Sequence, residues 1–112
     1  TAQMLGRWQP WHNGHQKLFE ETIKKTGQVF IMARDVRGID DNPFDFNTVK
    51  NNIEKALMDF KNRFKVVLVP NITNICYGRG VGYKIEEIIL DKKTQEVSAT
   101  KIRKKMREEG KL

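Results

Sequence analysis

Two histidines, His12 and His15, make up the whole imidazole complement of the chain and frame the run His-Asn-Gly-His. At the start of a helix, residues three apart lie on one side of it. Gly14 removes a side chain between them, so a ligand could approach the main chain closely. Each ring can donate an N–H to an anionic oxygen. Three uses fit such a pair. A zinc helix wants histidines four apart and a further ligand; here there is no third histidine and one cysteine, Cys76. Surface or capping histidines without chemistry are the second use. Phosphate binding is the third, and Gly6, Pro10 and Gly14 at a strand-to-helix junction all agree with it.

The charge pattern points the same way. A helix start carries partial positive charge and unpaired N–H groups, so acids normally gather there. The start at residues 12–17 holds His12, Asn13, Gly14, His15 and Lys17, with no acid before Glu20. A second start, at Ser98, is followed by Lys101, Arg103, Lys104, Lys105 and Arg107, with the first acid at Glu108. Ser98 is a good N-cap, and Val97 with Ile102 forms a hydrophobic staple. Two cationic helix starts predict an outside anion bridging them, a polyphosphate. With 21 basic and 14 acidic residues the net charge is +7. That implies anionic partners without choosing among metabolites, nucleotides and nucleic acid.

The elements that must position these residues follow from pattern. Residues 2–7 read as a strand, stopped by Pro10, which cannot donate to a ladder. Residues 13–26 read as a helix with Leu18, Phe19, Thr22 and Ile23 on one face, closed by Gly27. Residues 28–32 are apolar without alternation, as in a strand covered on both faces. Residues 36–46 are rich in turn and cap formers, among them Gly38, Asp40, Asp41, Asn42, Pro43 and Asp45. Val49, Ile53, Ala56, Leu57 and Phe60 recur at helical spacing, so 47–62 is expected to be helix. Strands are expected at 65–70, 72–77 and, at an edge, 83–90. A closing helix is expected at 98–109. Cys76 is expected to be a buried, inert thiol. The result is one α/β domain over 1–112, a Rossmann-like doubly wound fold with a mainly parallel five-stranded sheet and helices on both faces. Ligands of such folds bind at the carboxyl ends of the strands, which places residues 6–15 at the mouth of the site.

Gly6-Arg7-Trp8-Gln9-Pro10-Trp11-His12-Asn13-Gly14-His15, followed far downstream by Val97-Ser98-Ala99-Thr100-Lys101-Ile102-Arg103, resembles the HxGH nucleotidyltransferase superfamily. The second stretch is similar to that family's I-S-S/T-T-x-x-R signature. The two motifs stand in the family's order, and the resemblance covers essentially the whole chain. Gly-Arg-Trp-Gln-Pro resembles the GRFQP opening of archaeal-type nicotinamide mononucleotide adenylyltransferases, with Trp8 in place of Phe. Asn42-Pro43-Phe44 also resembles a loop of those enzymes. The layout from Tyr77-Gly78-Arg79-Gly80 to the Ser98 motif is similar to small cytidylyltransferases of the glycerol-3-phosphate type. Those carry acidic residues where this chain has Arg79 and Gly80.

The resemblance implies transfer of a nucleoside monophosphate from a nucleoside triphosphate, CTP first, to a small phosphorylated acceptor. Its alternative is ATP-dependent adenylyl transfer to a mononucleotide. It implies His12 and His15 on the triphosphate, and Ser98, Ala99 and Thr100 on its β- and γ-phosphates. Arg103 and Lys101 neutralise the departing pyrophosphate. Gly6, Arg7, Trp8, Gln9 and Gly14 line the nucleotide site, with Lys17, Gly78 and Arg79 as further contacts. Mg²⁺ comes with the triphosphate, with no protein ligand assigned, and small cytidylyltransferases imply a homodimer. A non-catalytic nucleotide- or nucleic-acid-binding domain is the rival class. Nucleic acid is not the expected partner, because no helix-turn-helix, zinc-finger or RNA-binding signature is present. No apolar run reaches the length of a membrane helix, and no charged-then-apolar leader is seen. Thr1 is not an initiator Met, so residues upstream are expected. A reducing cytoplasm is the expected compartment.

Overall fold

Three parallel strands in spatial order β1-β2-β3 form the sheet: β1 is Ala2–Gly6, β2 is Val29–Arg34 and β3 is Phe64–Val69. The first crossover contains α1 (Asn13–Thr26); the second contains α2 (Phe46–Ala56) and a short 3-10 turn, Met58–Phe60. The short α3 (Lys92–Gln95) and the closing α4 (Ala99–Glu108) follow. This is a computed structural model, and it describes residues 1–36, 42–79, 82, 84–90, 92–95 and 98–110.

Strand register explains the core. Met4 lies opposite Ile31, which lies opposite Val66, so these three side chains share one face of the sheet. Val29 and Ala33 point the same way. All five are buried, together with Phe19 and Ile23 of α1 and Val49 and Ile53 of α2. Phe19 is fully enclosed and meets the rings of Phe60 and Phe64 edge-on, with centroids 5.1 and 6.1 Å away. Both crossovers step in the same direction across the sheet. Right-handed connections therefore set α1 and α2 on the same face, and one shared core cluster is the result. Gly27 ends α1 in the left-handed region (φ 78°), and its N–H donates to the Ile23 carbonyl. That is the terminator its residue type predicts.

Several expectations are corrected. The sheet has three strands among the described residues, where five were expected. Residues 72–77 join no ladder, nor do 84–90; Tyr83 lies outside the described residues. Strand propensity is a property of fit to a neighbouring strand, and these runs have none beside them. Ile75, Tyr77, Ile85 and Ile89 are exposed accordingly. Cys76, expected to be buried, is exposed for the same reason. The two crossover helices share one face instead of dividing between two, and the opposite face (Leu5, Phe30, Met32, Val67) stays half-buried. The second helix ends at Ala56 and gives way to the 3-10 turn, short of residue 62. α3 had no counterpart in the sequence reading. Gly38, Asp40, Asp41, Gly80 and Val97, with its staple, fall outside the described residues. Among the described residues no helix is long and apolar enough to cross a membrane.

Phe19→Ala removes the ring that joins α1 to the far end of the sheet. It should destabilise the fold by about 3–5 kcal/mol, read as a lower urea midpoint with an unchanged slope.

Candidate functional site

The two histidines close the first turn of α1 on each other. His12 is the N-cap, and its Nδ1 accepts from the main-chain N–H of Gly14 (3.0 Å) and of His15 (3.4 Å). The main-chain N–H of His12 in turn donates to Nδ1 of His15 at 3.2 Å. This is the reciprocal arrangement that Ser and Glu usually make at a helix start, built here from two imidazoles. The rings stack, with centroids 3.6 Å apart and planes inclined by 16°. Since both Nδ1 atoms accept, the hydrogen-bond network assigns each ring proton to Nε2. Gly14 makes the stack possible: a Cβ there would come 2.8 Å from Cε1 of His12 and 3.7 Å from the Thr94 carbonyl oxygen of α3.

Aromatic rings wall His15. Trp8 meets it edge-on at 4.8 Å and Trp11 lies at 5.5 Å. Trp8 takes a left-handed φ of 56°, which folds its indole back over Gly6. A Cβ on Gly6 would fall 2.8 Å from that ring, so glycine is required at the strand end. The indole N–H of Trp8 donates to the Met32 carbonyl (3.2 Å), and that of Trp11 to Oε1 of Gln16 (3.0 Å). Burial, then the nearby charge of His12, pushes the His15 pKa from about 6.5 down to about 3. His12 is lowered by burial too, against an opposing hydrogen bond to its own main chain. Both rings are therefore neutral at pH 7. This corrects the charge argument for the first helix start: the imidazoles there are uncharged caps, and no anion is needed to relieve them. What they offer an anion is a pair of Nε2–H donors beside a helix start.

Gln9 is almost fully buried and grips the segment before α2 with both ends of its amide. Its Nε2 donates to the Phe44 carbonyl (3.0 Å), and its Oε1 accepts from the Phe44 N–H (2.9 Å). Its own carbonyl accepts from Nη1 of Arg103, whose Nη2 donates to Oγ1 of Thr100 (3.3 Å). Arg103 is 3% exposed. It tethers α4 to the loop carrying the histidines and does not reach freely into solvent. Ser98 caps α4 as expected, accepting from the Lys101 N–H at 3.4 Å. α4 has no acid in its first turn.

The remaining predicted residues divide. Lys101 and Thr100 are exposed, and Ser98 and Ala99 half-buried, at the start of α4. Lys17 is exposed and lies 3.9 Å from Glu20. Gly78 and Arg79 lie in the exposed segment after β3, and no described contact joins them to the histidines.

A cleft of about 380 Å³ opens at the carboxyl ends of the strands. Arg7 and Gln9 line it from the first loop, Arg34 and Asp35 from the end of β2, and Phe44 and Asp45 from the approach to α2. Nη1 of Arg7 donates to Oδ1 of Asn42 (3.4 Å), and Nε and Nη2 of Arg34 to Oδ1 of Asn71 (3.2 and 2.7 Å). An amide oxygen orients a guanidinium without neutralising it. Sequence reasoning missed Arg34 and Asp35, and met Phe44 only within the Asn42-Pro43-Phe44 resemblance. The signal was the carboxyl-end rule applied to the second strand, which runs to Arg34 and not to residue 32.

Compared with known proteins, the chain matches no family model and no curated sequence.

The depressed histidine pKa values carry a sign. The unfolded chain takes up a proton at each imidazole below about pH 6.5, while the folded chain resists, His15 down to about pH 3. The His15 contribution to stability is complete above pH 6.5 and drains away as pH falls toward 3, and the His12 contribution is likewise lost on the acid side. His15→Asn keeps an acceptor for the His12 N–H and removes the titration. Urea midpoints at pH 7.0 and 4.5 should differ less in this variant than in the wild type; an equal difference would show that His15 is not held neutral.

Proposed function

We propose that the protein is a nucleotidyltransferase that moves a nucleoside monophosphate from a nucleoside triphosphate to a small phosphorylated acceptor. The observation that carries this reading is the reciprocal imidazole cap of His12 and His15, on a loop tied through Gln9 to Arg103 of the Ser98-capped helix. Both motifs of the resemblance thus meet at the carboxyl end of a parallel sheet, next to a cleft of about 380 Å³.

The chemistry asks little of side-chain proton transfer. A phosphate oxygen of the acceptor attacks the α-phosphorus, a new P–O bond forms, the bond to the β-phosphate bridging oxygen breaks, and pyrophosphate leaves. That nucleophile is anionic near neutral pH. Catalysis is then placement and stabilisation of charge building on the phosphoryl oxygens. Neutral imidazoles, fixed by their Nδ1 hydrogen bonds and left with Nε2–H to donate, supply donors for that charge. Ser98, Thr100 and Lys101 at the start of α4 hold the β- and γ-phosphates, and Arg7 and Arg34 in the cleft receive the acceptor's phosphate. Mg²⁺ enters as part of the triphosphate substrate, carried by phosphate oxygens and water. Among the described residues, no group of three or more His, Cys, Asp or Glu could hold a metal.

Cytidylyl transfer is the first form of this reading. Adenylyl transfer to a mononucleotide is the second, and one contact favours it. The two segments similar to the archaeal-type adenylyltransferases, around Gln9 and around Phe44, are hydrogen-bonded to each other.

Pyrophosphate release should be measured with each of the four triphosphates, Mg²⁺ and a panel of phosphorylated acceptors. One triphosphate should turn over well above the rest; no turnover with any overturns the reading. His15→Ala should lower kcat at least ~100-fold, the usual consequence of losing one transition-state donor. A rate near that of the wild type would remove His15 from this role.

A further inference from the structure

We propose that Gln9 is a positioning residue that couples the anion-binding helix starts to the wall of the cleft. The inference rests on the nucleotidyltransferase reading for its ligand and goes beyond it in what it asks of Gln9. The resemblance implies a nucleotide-lining role for this residue. Its side chain is instead spent on the protein: both ends of the amide engage the main chain of Phe44.

The connection runs through three polar links. Thr100, in the first turn of α4, accepts from Arg103. Arg103 donates to the Gln9 carbonyl across 94 residues of sequence. Gln9 then holds Phe44, and the next residue, Asp45, caps α2 by accepting from the Thr48 N–H at 2.8 Å. Buried hydrogen bonds to a charged donor, and a buried amide paired at both ends, are costly to break. The links therefore shift together and not one by one. There is little slack on either side of Gln9. Trp8 before it is pinned by its ring against Gly6 and by its N–H to Met32, and His12 shortly after it begins the capped helix.

Only glutamine does this. The Phe44 pair needs a donor and an acceptor on one planar group at this reach. Glutamate lacks the donor, and leucine or methionine lacks both. An anion that fixes the start of α4 thereby fixes Arg103, Gln9 and Phe44, and stiffens the wall against which the acceptor lies. By reciprocity, a ligand in the cleft tightens the grip on the anion.

The test uses the whole chain and inorganic tripolyphosphate as probe. Binding is read from tryptophan emission, since the protein's two tryptophans, Trp8 and Trp11, both stand beside His15. Coupling is read from hydrogen exchange of the Phe44 amide, with the Gly27 amide, bonded to the Ile23 carbonyl at the far end of α1, as reference. Saturating tripolyphosphate should slow Phe44 exchange at least ~5-fold and leave Gly27 unchanged. In Gln9→Ala and Gln9→Leu, which remove the acceptor of the Phe44 N–H, Phe44 should exchange fast with and without the probe. An emission change with unaltered Phe44 exchange in the wild type overturns the coupling and leaves the nucleotidyltransferase reading standing. No emission change at any concentration overturns both. The wild-type measurement decides the matter even if a variant fails to fold.

Discussion

The reciprocal hydrogen bonds between His12 and His15 are the constraint on which the rest of the site depends. A helix start must satisfy its first N–H groups, and here two imidazoles do so with their Nδ1 atoms. Three consequences follow from that one act. The rings are held stacked at 3.6 Å. Their remaining protons sit on Nε2. And protonation is opposed, because a proton on Nδ1 would break the cap while the aromatic wall keeps water away from His15. A pair that looks in sequence like a positive cluster is in the folded chain a pair of neutral, fixed donors.

The loop from Gly6 to Pro10 makes this possible by being unusually committed. Gly6 yields its side-chain space to Trp8, and Trp8 accepts a left-handed main chain to occupy it. Such a conformation costs on the order of 1–3 kcal/mol for a residue other than glycine. Burial of the indole and its bond to Met32 offset that cost. Gln9 then carries the geometry outward to Phe44 on one side and Arg103 on the other. The tether of α4 to the sheet is thus polar and specific. An anion held at both helix starts would act on one continuous, hydrogen-bonded unit.

The second half of the chain tells a different story. Residues 72–77 have strand-like composition and no strand beside them; Ile75 and Tyr77 are left in water and Cys76 with them. A βαβαβ unit whose crossovers run one way covers one sheet face with helices. The opposite face, with Leu5, Phe30, Met32 and Val67, remains half-buried.

Local sequence determined the first helix to the residue at both ends, because Gly27 and the apolar spacing of Phe19 and Ile23 act through neighbours on the same helix. It also determined the Ser98 cap and the existence of the three strands. Those depend on interactions within a few positions, and pattern records them. Tertiary structure alone decided the protonation of His15, since burial by Trp8 and Trp11 is what depresses it. It decided that Arg103 would bind a carbonyl 94 residues away and that Gln9 would hold Phe44. It decided, too, that the apolar run after β3 would find no ladder. Each of these outcomes is a meeting of residues distant in the chain, and spacing along a sequence carries no record of which distant groups will meet.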